Sequence, residues 1–364
     1  MTSPLKTLLP SKNVIVCVGS GGVGKTTVAA TLALEAALEG KKSLVCTIDP
    51  AKRLANSLGL TELGNQEAAI APASFVSAGL EPNGVLHAMM LDMKQTWDDL
   101  IARYAPPDKR QKILENRFYQ SLSSALAGSQ EYIAMEKLWE LRSQRDYQLI
   151  VLDTPPTAHA LDFLDNDAAK FLLTPALAAG RVGLQLFSLG SSYVAKTLSR
   201  FTGAETLQEL AKFLLAISGL NQGFRERAHQ VRGLLASPQT SFVLVTAPMP
   251  ERIDEAVHFH TVLQQNQMHV GAIVVNRVHP RPTATDRAAA EKLSEPLRGK
   301  VLTTLKEQDV LASQDEAGIA RLREQVGATP LIFVPRFELD VHDLKGLHHT
   351  GEYLLGDRTI TVGG

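Results

Sequence analysis

Val14–Val18 reads VIVCV, Gly19–Thr27 reads GSGGVGKTT, and Val28–Leu38 reads VAATLALEAAL. An apolar, β-branched run, a glycine-rich loop and an alanine- and leucine-rich helical pattern follow one another without a gap, and that succession leaves few folds open. In this setting the spacing G-x-x-x-x-G-K-[ST] reads as a phosphate-binding loop. Glycines reach torsions closed to other residues, so successive N–H groups of Gly21, Gly22, Val23 and Gly24 can turn inward onto phosphate oxygens. The helix start adds unpaired N–H groups and the positive end of its dipole. Lys25 supplies a point charge for the β- and γ-phosphates. The Thr26 hydroxyl suits Mg²⁺, and Thr27 suits the α-phosphate.

Five further apolar runs recur along the 364 residues: Ser43–Ile48, Gln148–Leu152, Phe242–Val245, Ala272–Val275 and Leu331–Val334. Several are apolar at every position, as strands covered on both faces are. Helical patterns such as Thr26–Glu39 and Glu251–Gln265 lie between them. The expected fold is α/β, a phosphate-loop NTPase with a mostly parallel sheet between helices. Met93–Arg145 and Ala160–Leu235 carry almost no strand signal and much helical periodicity, which predicts a helical subdomain. The boundaries read as core at 10–92, 146–160 and 238–352, and as helical subdomain at 93–145 and 161–237. The second helical stretch, FLLTPALAAGRVGLQLFSLGSSYVAKTLSRF, is dense in Leu, Ala, Phe and Gly. Its apolar faces either close on one another or leave a groove for an apolar partner.

Net charge is −1, which gives no electrostatic case for nucleic acid as main partner. Cys17 and Cys46 each sit inside an apolar run and read as core residues of a cytosolic chain. The N-terminus shows no signal peptide, and no apolar run reaches the roughly 18 residues of a membrane span.

Two more segments carry chemistry. Thr47–Pro50, TIDP, closes the second run, and Asp49 falls where parallel sheets bind ligands. Asp49 serves either to orient and deprotonate a water or to cap the next helix. Gln148–Leu161, QLIVLDTPPTAHAL, ends a buried strand with Asp153, a carboxylate suited to Mg²⁺ through water. The Thr-Pro-Pro-Thr after it cannot continue as helix. It reads as a stiff loop leading into the second helical stretch, with His159 following it, and that continuity lets phosphate state reach the lobe.

These segments together resemble the ArsA family, the arsenite-pump ATPases and the related ATPases that guide tail-anchored membrane proteins. GGVGKTT, IDPAK, DTPPTAHALDFLD, VVNRV (Val274–Val278) and VPRFELDVHDLKGL (Val334–Leu347) carry the resemblance. It implies ATP as nucleotide, Mg²⁺ as cofactor and a dimer that opens and closes with nucleotide. It implies that Asp49 activates the water, that Asp153 is the second switch aspartate, that Asn276 reads the adenine edge, and that Pro335 and Phe337 flank the base. Read from the residues alone, Asn276 equally suits a strand end.

Three departures stand out. The family loop usually reads GKGGVGKT, its extra lysine crossing a dimer interface to the partner's nucleotide; here that place is Ser20. There is no Cys-x-x-Cys motif for an intersubunit zinc. Two cysteines cannot form a three-thiol arsenite site, so an arsenite-pump motor is disfavoured. The expected function is a Mg²⁺-dependent ATPase coupling turnover to a hydrophobic protein client or a membrane partner. The missing lysine admits a homodimer, a heterodimer with a lysine-bearing paralogue, a substitute cation such as Arg53, or a slow, nucleotide-sensing regulatory subunit.

Overall fold

In a computed structural model, residues 3–48, 53–116, 119–120, 129–155 and 221–360 are described. Contacts divide the chain into two compact units. One is drawn from Met1–Met90, Gln144–Leu161 and Leu235–Gly364, the other from Leu91–Ser143 and Asp162–Leu234.

The first unit is built on eight strands: β1 Val14–Val18, β2 Lys42–Thr47, β3 Ala68–Ala69, β4 Val85–Met90, β5 Leu149–Asp153, β6 Thr240–Thr246, β7 Val270–Val278 and β8 Leu331–Pro335. They form one sheet in the order β3-β4-β2-β5-β1-β6-β7-β8. Every pairing is parallel except the two-residue β3 against β4. β1, β5 and β6 are buried at every position, which is why their sequences show no polar alternation. The α/β expectation holds, and all six predicted runs are strands. β3 and β4 were not expected. β4 reads VLHAMM, with an exposed Val85 and a half-buried His87, so its sequence lacks the continuous apolar signal of the central strands.

In chain order the helices of the described residues are α1 Pro4–Ser11, α2 Lys25–Leu38, α3 Arg53–Ser57, α4 Pro72–Ser77, α5 Met93–Tyr104, α6 Pro107–Leu114, α7 Ser129–Gln144, α8 Asn221–Leu235, α9 Pro250–Gln265, α10 Ala284–Glu291, α11 Leu297–Val326 and α12 Leu344–Leu354. α5, α6, α7 and α8 belong to the second unit. In it Asp92 caps α5 through Gln95 N at 2.8 Å, and the Tyr119 hydroxyl donates to Asp98 at 2.7 Å. The remainder of the predicted helical lobe, together with Asp49 and His159, lies outside the described residues. No helix among the described residues is long and apolar enough to cross a membrane.

α2 packs against β2, β5 and α12, and its sequence explains how. Alanines at 29, 30, 33, 36 and 37 let neighbours approach closely, while Leu32 and Leu34 are fully buried, each contributing about 1.5–3 kcal/mol. An ionisable group lies in this interface. Glu35 is buried and bonds His348 Nδ1 at 2.9 Å, and a Cβ at Gly351 would stand 2.2 Å from the Glu35 Oε1 atom. α12 therefore carries glycine where α2 carries the glutamate. Burial pushes the Glu35 carboxyl above its ordinary 4.5, and His348 offsets that only in part.

A raised folded pKa means the folded chain holds the proton more tightly than the unfolded one. The stability contributed by protonated Glu35 is present below 4.5 and is lost as pH rises through the folded value. Denaturation measured from pH 4 to 7 on the full chain and on Glu35→Gln checks this. The wild type loses more stability than the variant over the lower part of that range; parallel profiles would refute the linkage.

Candidate functional site

The site collects at the carboxyl ends of the central strands, where open parallel sheets bind ligands. β1 ends at Val18 and the loop begins with Gly19 at φ +147°. Gly22 and Gly24 have φ +77° and +97°, so the loop's curl needs glycine at both. α2 starts at Lys25, with Gly24 as a cap that has no side chain to compete for the first N–H groups. Lys25 is buried and its ammonium bends back over the loop, donating to the Ser20 carbonyl at 2.8 Å.

Three chain segments converge on one carboxylate oxygen. Thr26 Oγ1 from α2 donates to Asp153 Oδ2 at 2.7 Å, and Thr47 Oγ1 from the end of β2 donates to the same oxygen at 2.8 Å. The register of β2, β5 and β1 explains the meeting, because Thr47 and Cys17 are both partners of Asp153. Beyond Asp153, Thr154 Oγ1 donates to the Cys17 carbonyl at 2.8 Å, so the start of the Thr-Pro segment is tied to β1. The Ile48 N–H donates to the Asp153 carbonyl at 3.3 Å, holding the last described residue before Asp49. Both cysteines lie in strands and are buried. Burial, then the charge of Asp153, pushes the Cys17 thiol well above its usual range despite Lys25, so it stays protonated.

Asn276 closes the other side of the loop. Its Nδ2 donates to the Val23 carbonyl at 2.8 Å, its Oδ1 accepts from Arg277 N at 2.9 Å, and it is buried. Asn276 thus braces the phosphate loop. Pro335 ends β8, opposite Val278. Phe337 packs its ring against His349 and Tyr353, with centroids at 5.1 and 5.9 Å. Thr27 lies in the first turn of α2.

One arrangement has no counterpart in the sequence reading. On α9, Arg252 Nη1 donates to Glu255 Oε2 at 2.9 Å, and Thr246 Oγ1, at the end of β6, donates to the Arg252 carbonyl at 2.9 Å. The i,i+3 spacing of Arg252 and Glu255 was visible in the sequence, but the anchoring of their turn to β6 is tertiary.

The comparisons agree with this geometry. The family model described as anion-transporting ATPase matches residues 12–308. ATPase GET3B of Arabidopsis thaliana is 23% identical over 352 residues, covering 92% of this chain and 77% of that protein. ATPase GET3 of Malassezia globosa is 30% identical over 283 residues, covering 76% of this chain and 77% of its own. ATPase get3 of Aspergillus terreus is 26% identical over 272 residues, covering 71% of each. With a glycine loop, a buried lysine and a threonine–aspartate knot at the sheet's carboxyl edge, the chain belongs to the anion-transporting (ArsA) ATPase family and is an ATP-hydrolysing enzyme.

Proposed function

We propose that this ATPase couples nucleotide state, in a dimer, to the binding or targeting of a hydrophobic membrane-protein segment held by its helical lobe. The observation that carries the reading is the knot on Asp153. One carboxylate joins the helix after the phosphate loop, the end of β2 and the end of β5. Past Thr154 and the Pro155–Pro156 pair, the sequence runs into the second predicted helical stretch, Ala160–Leu235. A change in what Thr26 and Asp153 hold therefore acts at the root of that segment. The motif resemblance to tail-anchor-guiding ATPases and the relatives named ATPase GET3 support the same reading.

The donor set fits a hard divalent cation, since a hydroxyl and a carboxylate oxygen lie together there. Thr26 would hold Mg²⁺ directly and Asp153 through water. When bound, the ion neutralises charge on the β- and γ-phosphate oxygens. Lys25 holds the γ-phosphate, and the N–H groups of Gly21, Gly22, Val23, Gly24 and Thr27 hold the remaining oxygens. Asp49, next to the pinned Ile48, orients the attacking water and takes its proton. The adenine would be read by Asn276 on β7 and flanked by Pro335, at the end of β8, and Phe337 beyond it. Two buried cysteines in the core strands suit a reducing, cytosolic setting.

The test uses the full chain and a fluorescently labelled apolar peptide of about 20 residues, long enough to span a membrane as helix. Its affinity is measured by anisotropy with ADP, with ATP, and without nucleotide. We expect at least a tenfold difference between two of these states, which corresponds to about 1.4 kcal/mol of coupling. Equal affinity in all three would overturn the coupling.

A further inference from the structure

Asp153 accepts two hydroxyl hydrogens on one oxygen, and only one of the two donors belongs to the helix of the phosphate loop. Thr26 Oγ1 comes from the first turn of α2 and lies 2.7 Å from Asp153 Oδ2. Thr47 Oγ1 comes from the last residue of β2 and lies 2.8 Å from the same oxygen. Thr47 is buried, in a strand that reads KSLVCT. Packing alone would be served there by valine, which has nearly the same shape and brings no buried hydroxyl that needs a partner. Nor is the hydroxyl what joins β2 to β5. Backbone does that, because Thr47 is the register partner of Asp153 and the Ile48 N–H donates to the Asp153 carbonyl at 3.3 Å. From the other side, the Thr154 N–H and Oγ1 both donate to the Cys17 carbonyl, at 3.3 and 2.8 Å. The strand ends are thus placed without Thr47 Oγ1, and what that atom fixes is the carboxylate. A hydroxyl has one hydrogen, so Thr26, which gives its hydrogen to Asp153, keeps its lone pairs for a cation. A carboxylate held by Thr26 alone can turn about its own bond; a second donor from a different element stops that rotation. With two donors on Oδ2, the acceptor directions of that oxygen are taken, and a metal-bound water falls to Oδ1.

We propose that Thr47 is a positioning residue of the ATPase: it fixes the Asp153 carboxylate, so that Thr26 and Asp153 offer Mg²⁺ one rigid set of oxygens. Thr47 acts through Asp153 and not on the nucleotide itself. Groups that orient a metal's ligands in this way typically contribute about 10–100-fold to metal affinity or activity. The inference rests on the magnesium reading given under the proposed function and needs neither a client nor a dimer.

The experiment is calorimetric titration of the full chain with ADP, once with Mg²⁺ and once with EDTA, alongside phosphate release across a range of Mg²⁺ concentrations. Thr47→Val keeps the volume and the strand preference and removes the hydroxyl. In EDTA it is expected to bind ADP within about threefold of wild type. The strengthening of ADP binding by Mg²⁺ is expected to fall about tenfold, and by no less than about threefold, with a matching rise in the Mg²⁺ needed for half-maximal phosphate release. Thr47→Ser restores the donor and is expected to stay within about threefold of wild type in each assay. Thr47→Ala removes the hydroxyl without added bulk, so it gives the same reading should the valine variant fail to fold. A Mg²⁺ effect reduced by less than about threefold overturns the proposal. So does a loss of equal size in EDTA, which assigns Thr47 to the fold of the site, or a loss that Thr47→Ser does not recover. A wild type indifferent to Mg²⁺ in both assays overturns the magnesium reading itself, and the proposal with it.

Discussion

Lys25→Ala lowers kcat/KM for ATP by about 10²–10³-fold, while the fold survives. The side chain is held in place by the loop itself. It is buried at the first position of α2, and its ammonium rests on the Ser20 carbonyl at 2.8 Å. Such preorganisation spares the reorganisation cost that a free lysine would incur when the phosphates bind. Truncation removes a charge from a low-dielectric setting, where it counts for more than in water. It also costs the Ser20 carbonyl a charge-assisted partner, a penalty of about 1–3 kcal/mol. Thermal denaturation of the variant separates the two effects, since the melting temperature falls by only a few degrees while turnover collapses. Lys25→Arg does not restore activity, because the planar fork cannot fold back over a loop sized for an ammonium. Turnover within tenfold of wild type in Lys25→Ala would move hydrolysis away from this loop.

What could be read in advance depended on whether a residue's task is set locally or by distant chain. β1 was legible to its end residues because a strand buried on both faces is apolar throughout, and Asp153 because it terminates a run of the same kind. Lys25 and Thr26 were legible because the motif that names them also places them. β4 was missed because it lies near the sheet edge, with Val85 exposed and His87 half-buried. α1 was missed because eight residues with two prolines give too little periodicity. It is held instead by the full burial of Leu5 and Leu9 and by the Ser3 hydroxyl on the Leu354 carbonyl. Thr47 stood in a quoted motif, yet its role exists only because β2 and β5 are neighbours. Asn276 was singled out for the base, and the described state has it bracing Val23. The close approach of Gly19 to Val245 exists only because β1 and β6 pair, so it did not show in the sequence.

Gly19→Ala has the larger structural effect of the two substitutions argued at length, and the loop supplies its own controls. A Cβ at Gly19 would lie 2.0 Å from the Val245 carbonyl oxygen, at φ +147°. Val245 is the next-to-last residue of β6, paired with Val274 of β7, so its backbone cannot swing aside as a side-chain tip would. The loop must move instead, and with it the path from β1 to α2. We expect a destabilisation of about 3 kcal/mol or more, a fall in melting temperature of roughly 5–10 °C, and weakened ATP-analogue binding. Gly22→Ala has the same kind of backbone problem at φ +77° but nothing within 4 Å of the added atom. Its cost is the left-handed conformation alone, about 1–2 kcal/mol. Gly24→Ala falls between them: its Cβ would meet Asn276 Nδ2 at 2.3 Å, and that amide can rotate away by giving up the Val23 carbonyl. Melting curves for the three variants should therefore rank Gly19 below Gly24 below Gly22. The close approach of the loop to β6 is what sets that order. If Gly19→Ala melts no lower than Gly22→Ala, the loop is free to leave β6.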